Sequence, residues 1–334
     1  MTDDPTLFDE ADLAPSEDEL TAADIRHPGL YPRYTFFHVT ARTEYLSLIS
    51  KKINWLGSVY SLTQGYTKGA PTDNWLREAE KHAKDARIAF IDSGAISTLL
   101  RFARGKGTQD DIRNWLERHD LVVDTAWRLY KAGVETGIVA AMDLPSTAIP
   151  LEDAGFTWEE GLDITFKNAV RMSESSIPPG WKPIYMVQGR EPDEFVRCAQ
   201  MFDEAGLLNQ VREGNAWLGI GGIHKVKSPT LDNIIKAVRN ELGPDGHIHA
   251  LGLAGPRSAP FAARNIINSS DASTTQMQVT KNLPPYRIEG PRPTFLLNAL
   301  WAAGFLRHDT ILARKIAALE AQEMRDQDEI PLEA

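Results

Sequence analysis

Three aspartates recur at equivalent places along this chain. Asp92 follows the apolar run RIAFI (87–91), Asp143 follows GIVAAM (137–142), and Asp271 lies just past NIINS (265–269). Gln188 follows PIYMV (183–187), the pair Gly221–Gly222 follows AWLGI (216–220), and Gly252 closes HIHALG (247–252). Three carboxylates and an amide, each ending a β-prone run, suit three kinds of chemistry. They could bind a hard cation through oxygen. They could divide nucleophilic attack and proton transfer at the anomeric carbon of a sugar. A carboxylate and a Gln could also read the donors and acceptors of a purine-like edge. Glycosyl transfer fits the pattern best, because one carboxylate attacks while a second manages the proton on the leaving group.

Positioning these residues requires the runs to be parallel strands of one sheet. Short β-prone runs ending in Gly, Ser or Asp, each handing over to a helical pattern, read as buried parallel strands. Strands are expected at 35–39, 53–57, 87–91, 137–142, 183–187, 216–220, 247–252 and 265–269. Helices are expected at 41–51, 73–84, 109–132, 159–175, 191–206, 229–242, 257–264 and 294–306, with a further helix and an acidic tail over 307–334. Eight strands alternating with helices predict a (β/α)8 TIM-type barrel spanning 34–319, whose chemistry belongs at the C-terminal ends of the strands. A doubly wound open sheet is the alternative, but no GxGxxG follows the first strand.

Composition narrows the class further. The single Cys198 excludes an internal disulfide and any multi-cysteine metal site, so a zinc subdomain is not expected. No apolar run is long enough to span a bilayer, and the N-terminus lacks a basic-then-apolar leader, which predicts a cytoplasmic protein without membrane contact. The net charge of −10 is unevenly placed. Residues 1–26 hold nine acids against Arg26, and 320–334 hold six against Arg325; those segments carry −8 and −5, leaving 27–319 at +3. The body therefore does not repel a polyanion as the total suggests. Residues 1–33, acidic and rich in Pro, read as an unstructured tail, and 320–334 as a second acidic tail.

Six segments together resemble the tRNA-guanine transglycosylase superfamily. FIDSGAIS (90–97) is similar to its DSGGFQ-type motif, AMDLP (141–145) to its fourth-strand aspartate motif, and YMVQGR (185–190) to its IVQGG segment. LGIGGI (218–223) resembles the IGGL turn, HALGLAG (249–255) the LMGVG stretch, and INSSDAST (267–274) the segment bearing the nucleophile. The resemblance implies base exchange through a covalent glycosyl-aspartate, with no cofactor. It would make Asp271 the nucleophile and Asp92 the acid/base and heterocycle contact, with Ser93 and Gly94 shaping the loop. Asp143 and Gln188 would read a guanine-like edge, Gly221 and Gly222 would let the ring approach backbone amides, and Leu251 would join the base-binding set. The family's C-terminal CxCxxC…H zinc site has no counterpart, and FIDSGAIS lacks the second Gly, Phe and Gln of DSGGFQ. INSSDAST is closer to the DNA-modifying branch, whose small zinc-free members occur in phages. DNA and a 7-deazaguanine such as 7-cyano-7-deazaguanine are thus the implied partners, with tRNA as the alternative polymer.

Simpler roles stand beside these. Asp271 before Ala-Ser-Thr-Thr could be a helix N-cap, and Asp143 before Leu-Pro could cap a turn. His38, His247 and His249 lie in or beside strands without metal-ligand spacing, so they are expected to pack. Arg101, Arg104 and Lys106 in RFARGKGTQDD (101–111), Lys225 after His224, Arg257, and Arg287 with Arg292 in the Pro-rich 284–293 are candidate phosphate contacts. Each could equally be an exposed loop or helix end. Trp55, Trp75 and Trp217 are expected in cores, and Tyr60 and Tyr66 as stacking platforms.

Overall fold

The computed structural model describes residues 34–39, 54–58, 73–82, 88–146, 151–273 and 294–328, with positions 84, 86, 278, 279, 281, 287, 289 and 290. The expected tail 1–33, the helix 41–51, Tyr60, Tyr66 and Arg292 lie outside them.

An all-parallel α/β barrel forms the centre. Its strands are β1 (Thr35–Val39), β2 (Asn54–Ser58), β3 (Ile88–Asp92), β4 (Gly137–Ala140), β5 (Trp181–Val187), β6 (Trp217–Ile220), β7 (His247–Ala250) and β8 (Ser269–Ala272). Each pairs with the next, and β8 returns to β1 with Phe37 opposite Asp271, so the sheet closes without an edge. The helices are α1 (Asp73–His82), α2 (Ala95–Ala103), α3 (Gln109–Leu116), α4 (His119–Lys131), α5 (Trp158–Ser173), α6 (Pro192–Glu204), α7 (Leu207–Arg212), α8 (Ser228–Leu242), α9 (Gly255–Ala263) and α10 (Thr294–Asp328).

Two apolar clusters hold these layers. Phe37, Phe90, Ile138, Ala140, Ile184 and Met186 fill the barrel interior. A larger cluster, including Leu99, Leu162, Phe195, Ile235 and Leu312, lies between strands and helices. This is the alternation expected of strands buried on both faces. Capping fixes several helix starts. Thr108 with Asp111 opens α3, and Thr157 with Glu160 opens α5, each satisfying two backbone donors reciprocally.

The structure moves some sequence boundaries. The expected helix 109–132 is two helices that break at Glu117–Arg118, while α2 and α7 fall outside every expected helix. At the C-terminus a single helix runs from Thr294 through Asp328, taking in most of the segment expected to be an acidic tail. Strong helix formers dominate 311–328, and Gly304 is tolerated where the helix is buried. His38 leaves β1 toward this helix and meets Asp309 at 2.7 Å, both buried, which is the packing role expected of it.

The largest shift concerns the last strand, expected over 265–269 but found over Ser269–Ala272. Asn265 takes a left-handed conformation (φ 55°) that ends α9, and Ile267 is buried in the turn that follows. Asn268 then starts the ladder, accepting Thr35 N–H on its carbonyl and Ile248 N–H on its side chain, both at 2.9 Å. Asp271 therefore sits within β8, not just beyond it.

Candidate active site

The C-terminal rim of the barrel encloses a cavity of about 320 Å³. Asp92, Ser93, Asp143, Gln188, Gly221, Gly222, Leu251 and Asp271, all singled out from the sequence, line it together. Val39, Ile96, Ser97, Pro145, His224 and Gly252 complete the wall. Strand ends as far apart in sequence as Val39 and Asp271 converge because a closed parallel barrel brings every strand's C-terminus to one mouth.

Asp143 and Gln188 form one unit. Ser93 Oγ donates to Asp143 Oδ1 at 2.7 Å, and Gln188 Nε2 donates to Asp143 Oδ2 at 2.6 Å. Because the amide nitrogen faces the carboxylate, Gln188 Oε1 is left as an acceptor, and it is buried without a hydrogen-bond partner among the described residues. Burial pushes the Asp143 carboxyl up to about 6 against the opposing effect of those two bonds. Gly221 makes this arrangement possible in an unexpected way. Its amide is donated to Val187 O at 3.0 Å and does not face a ligand. A Cβ there would lie 2.1 Å from Gln188 Nε2, so the glycine clears room for the Gln188 side chain.

Asp92, the last residue of β3, has fewer donors. Gly94 N–H donates to its Oδ2 at 3.0 Å, from a left-handed conformation (φ 72°) that also starts α2. Burial, with the neighbouring Asp143 charge next, raises its carboxyl to about 7. The loop is pinned by Trp115, whose Nε1 donates to Ser93 O at 3.2 Å. Asp92 is thus poised to exchange a proton near neutral pH.

Asp271 differs from both. His249 Nε2 at 3.1 Å and Gly252 N–H at 2.8 Å both reach Oδ1. Oδ2 has no hydrogen-bond partner among the described residues. One oxygen is tethered by donors and the other is available, which suits an anionic nucleophile. The helix-cap reading of Asp271 does not hold, since its carboxylate binds across to β7. Nor does Asp143 cap a turn, because its oxygens bind Ser93 and Gln188 side chains. His249 and the Gly252 amide were not foreseen as partners of Asp271. The period-2 alternation of His247, His249, Ser269 and Asp271 is the signal that points all four inward.

The cationic candidates separate into two groups. Arg104, Lys106, Lys225 and Arg287 are exposed, and Arg101 is exposed while its Nε donates to Lys106 O at 2.6 Å. Arg257 is half-buried and braces the loop after β6, donating to His224 O at 2.8 Å and to Val226 O. Two of its guanidinium nitrogens are therefore engaged by backbone carbonyls. His224 meets the cavity beside it, and burial lowers its imidazole below the ordinary value, with Lys225 and Arg257 adding to the effect. Among the described residues no group of three His, Cys, Asp or Glu is arranged to hold a metal ion, and no helix is long and apolar enough to cross a membrane.

No protein-family model matches the chain, and no curated protein matches it.

Proposed function

We propose that this protein is a DNA-guanine transglycosylase that exchanges guanine for a 7-deazaguanine base on a (β/α)8 barrel without a zinc subdomain. The observation that carries the reading is the unequal treatment of carboxylates in one cavity. Asp271 offers an untethered Oδ2, while Asp92 holds a proton up to about pH 7. Asp271 Oδ2 bonds to C1′ as the C1′–N9 bond breaks, and the leaving guanine takes the Asp92 proton. The incoming base then bonds to C1′ through N9, gives its N9 proton to the Asp92 carboxylate, and releases Asp271. Each group returns to its starting state, and neither half needs an external reductant or oxidant.

Base selection follows from the Asp143–Gln188 unit. A guanine-like edge presents adjacent N–H donors, and Gln188 Oε1 with the remaining lone pairs of Asp143 offers acceptors for them. A cavity of about 320 Å³ suits one heterocycle and its sugar, so the target nucleotide must leave the stack to enter. The choice of DNA over tRNA rests on the resemblance of INSSDAST and on the absence of the cysteine motif from the sequence.

The test offers labelled guanine or 7-cyano-7-deazaguanine with DNA and tRNA in parallel, using Asp271→Asn as the control. Label entering DNA only, and only with Asp271 intact, is expected. Entry into tRNA keeps the chemistry and changes the polymer. Binding of base or DNA without exchange in either polymer would make the barrel a recognition protein and sink the proposal.

A further inference from the structure

Beside the apolar cluster of Phe37, Phe90, Ile138, Ala140, Ile184 and Met186, a line of polar atoms on β7 and β8 runs through the barrel interior. His247 Nε2 lies 2.7 Å from Ser269 Oγ, and Ser269 Oγ lies 2.8 Å from His249 Nδ1. His249 Nε2 continues the line to Asp271 Oδ1 at 3.1 Å. His249 and Ser269 are fully buried, and the edges of Phe37 and Phe90 pack around the His249 ring. His247 is held flat against Trp217, with ring centroids 3.5 Å apart and planes within 8°. None of these three residues lines the cavity.

Donor counting gives the line a direction. A hydroxyl has one proton, so Ser269 can donate to only one of the two imidazoles. An ionised Asp271 accepts, so His249 Nε2 must carry a proton. In the neutral imidazole His249 Nδ1 is then bare and takes the Ser269 O–H. The Ser269 oxygen in turn accepts from His247 Nε2–H. Burial keeps His247 neutral by lowering its imidazole well below the ordinary value, with the neighbouring His249, Arg239 and Lys182 adding to the effect. All three donors thus point from the bottom of the barrel toward Asp271.

We infer that His247, Ser269 and His249 are positioning residues that lock His249 as its Nε2–H tautomer, tether Asp271 Oδ1, and so present Oδ2 as the attacking atom. The inference rests on Asp271 being the nucleophile, as proposed above. The Gly252 amide supplies the second tether from the loop after β7, so Oδ1 is held by two N–H groups of different origin.

Two substitutions separate the ring nitrogens. The amide nitrogen of Gln reaches about where Nε2 lies, and that of Asn about where Nδ1 lies. His249→Gln should keep a donor on Asp271 and retain exchange within about tenfold. His249→Asn should keep only the Ser269 contact and lose on the order of 10²–10³ in kcat, as for removal of one preorganised donor, with KM for the base unchanged. Equal losses in the two variants, or a loss confined to KM, would overturn the inference. A measurement independent of turnover uses nitrogen NMR of histidine-labelled protein. His249 should show a protonated Nε2 and a bare Nδ1, and Ser269→Ala should turn this into a mixture of tautomers. A protonated Nδ1 in the unsubstituted protein refutes the lock even if bases are exchanged. The expected tautomer in a protein that exchanges no base keeps the lock and refutes the transglycosylase reading instead.

Discussion

Replacing Asp92 by Asn should stabilise the protein, and by an amount that depends on pH. In the folded protein the carboxyl binds its proton up to about pH 7, against an ordinary value of 3.8. Between those values the folded state holds more proton than the unfolded one, so stability is full below pH 4 and falls as pH rises through 7. The difference corresponds to roughly 4 kcal/mol at about 1.4 kcal/mol per pH unit. Asp92 is only partly buried where it meets the cavity, and water there screens its charge, so about 2–4 kcal/mol is the expected range. The substituted amide has the same shape as the carboxyl, keeps an oxygen for Gly94 N–H, and cannot ionise. Calorimetric melting of both proteins from pH 4 to 8.5 should give coincident curves at the acid end. Above pH 7 the variant should melt higher, on the order of 5 °C. A residual fall in the variant ending near pH 6 belongs to Asp143, whose carboxyl is raised in the same direction. Parallel pH dependence of the two proteins, or a variant less stable at pH 8, would refute the account of a carboxyl raised by burial and by the neighbouring Asp143 charge.

Other substitutions test the site and its frame. Asp271→Asn should abolish covalent capture of the nucleic acid, read by denaturing gel, while the melting curve stays cooperative. In single turnover, formation of the glycosyl-enzyme should slow as pH rises through about 7, because the step consumes the Asp92 proton. Gly221→Ala should raise KM for the incoming base at least tenfold, since the new methyl displaces the Gln188 amide from Asp143. Arg239 donates to the carbonyls of Ile266, Gly243 and Gly246 and to Asn268 Oδ1, at 2.9–3.2 Å, beneath β7 and β8. Arg239→Ala should therefore cost about 3 kcal/mol in denaturant titration.

The parallel barrel and the cavity lining were legible because both depend on patterns that sequence carries directly. Strand ends in a barrel share one rim, so aspartates following apolar runs had to meet. Register within the last strand was not legible, for a physical reason. The apolar Ile266 and Ile267 fill a buried turn, whereas the strand itself reads Ser-Ser-Asp-Ala, its inward side chains bonding to histidines rather than packing on carbon. Hydrophobicity marks burial, and here burial and strand pairing are offset by several residues. Gly221 illustrates a second limit. A glycine after a strand suggests close backbone approach by a ligand, but the neighbour that needs the space is Gln188, which precedes it by 33 residues. Arg257 is a third case, because a cation near the mouth has no assigned partner until the carbonyls of the preceding loop are placed.

Donor placement explains why three aspartates in one small cavity need not be redundant. Like charges a few ångströms apart in a medium poorer than water repel by several kcal/mol, so full ionisation of all three is costly. The backbone and neighbouring side chains distribute donors unequally among them. Asp143 receives two side-chain donors, one on each oxygen, and thereby holds Gln188 in register for a ligand. Asp271 receives two N–H groups on a single oxygen, which leaves the other oxygen without a competing proton. Asp92 is raised first by burial and then by the charges of Asp143 and Asp271, against the backbone bonds of Gly94 and Ser93, so it is the carboxyl that retains a proton near neutrality. An anion with one open oxygen beside an acid that titrates near pH 7 is the pairing that displacement at C1′ requires. The division follows from where Gly94, Gly252, Ser93 and His249 stand along the chain.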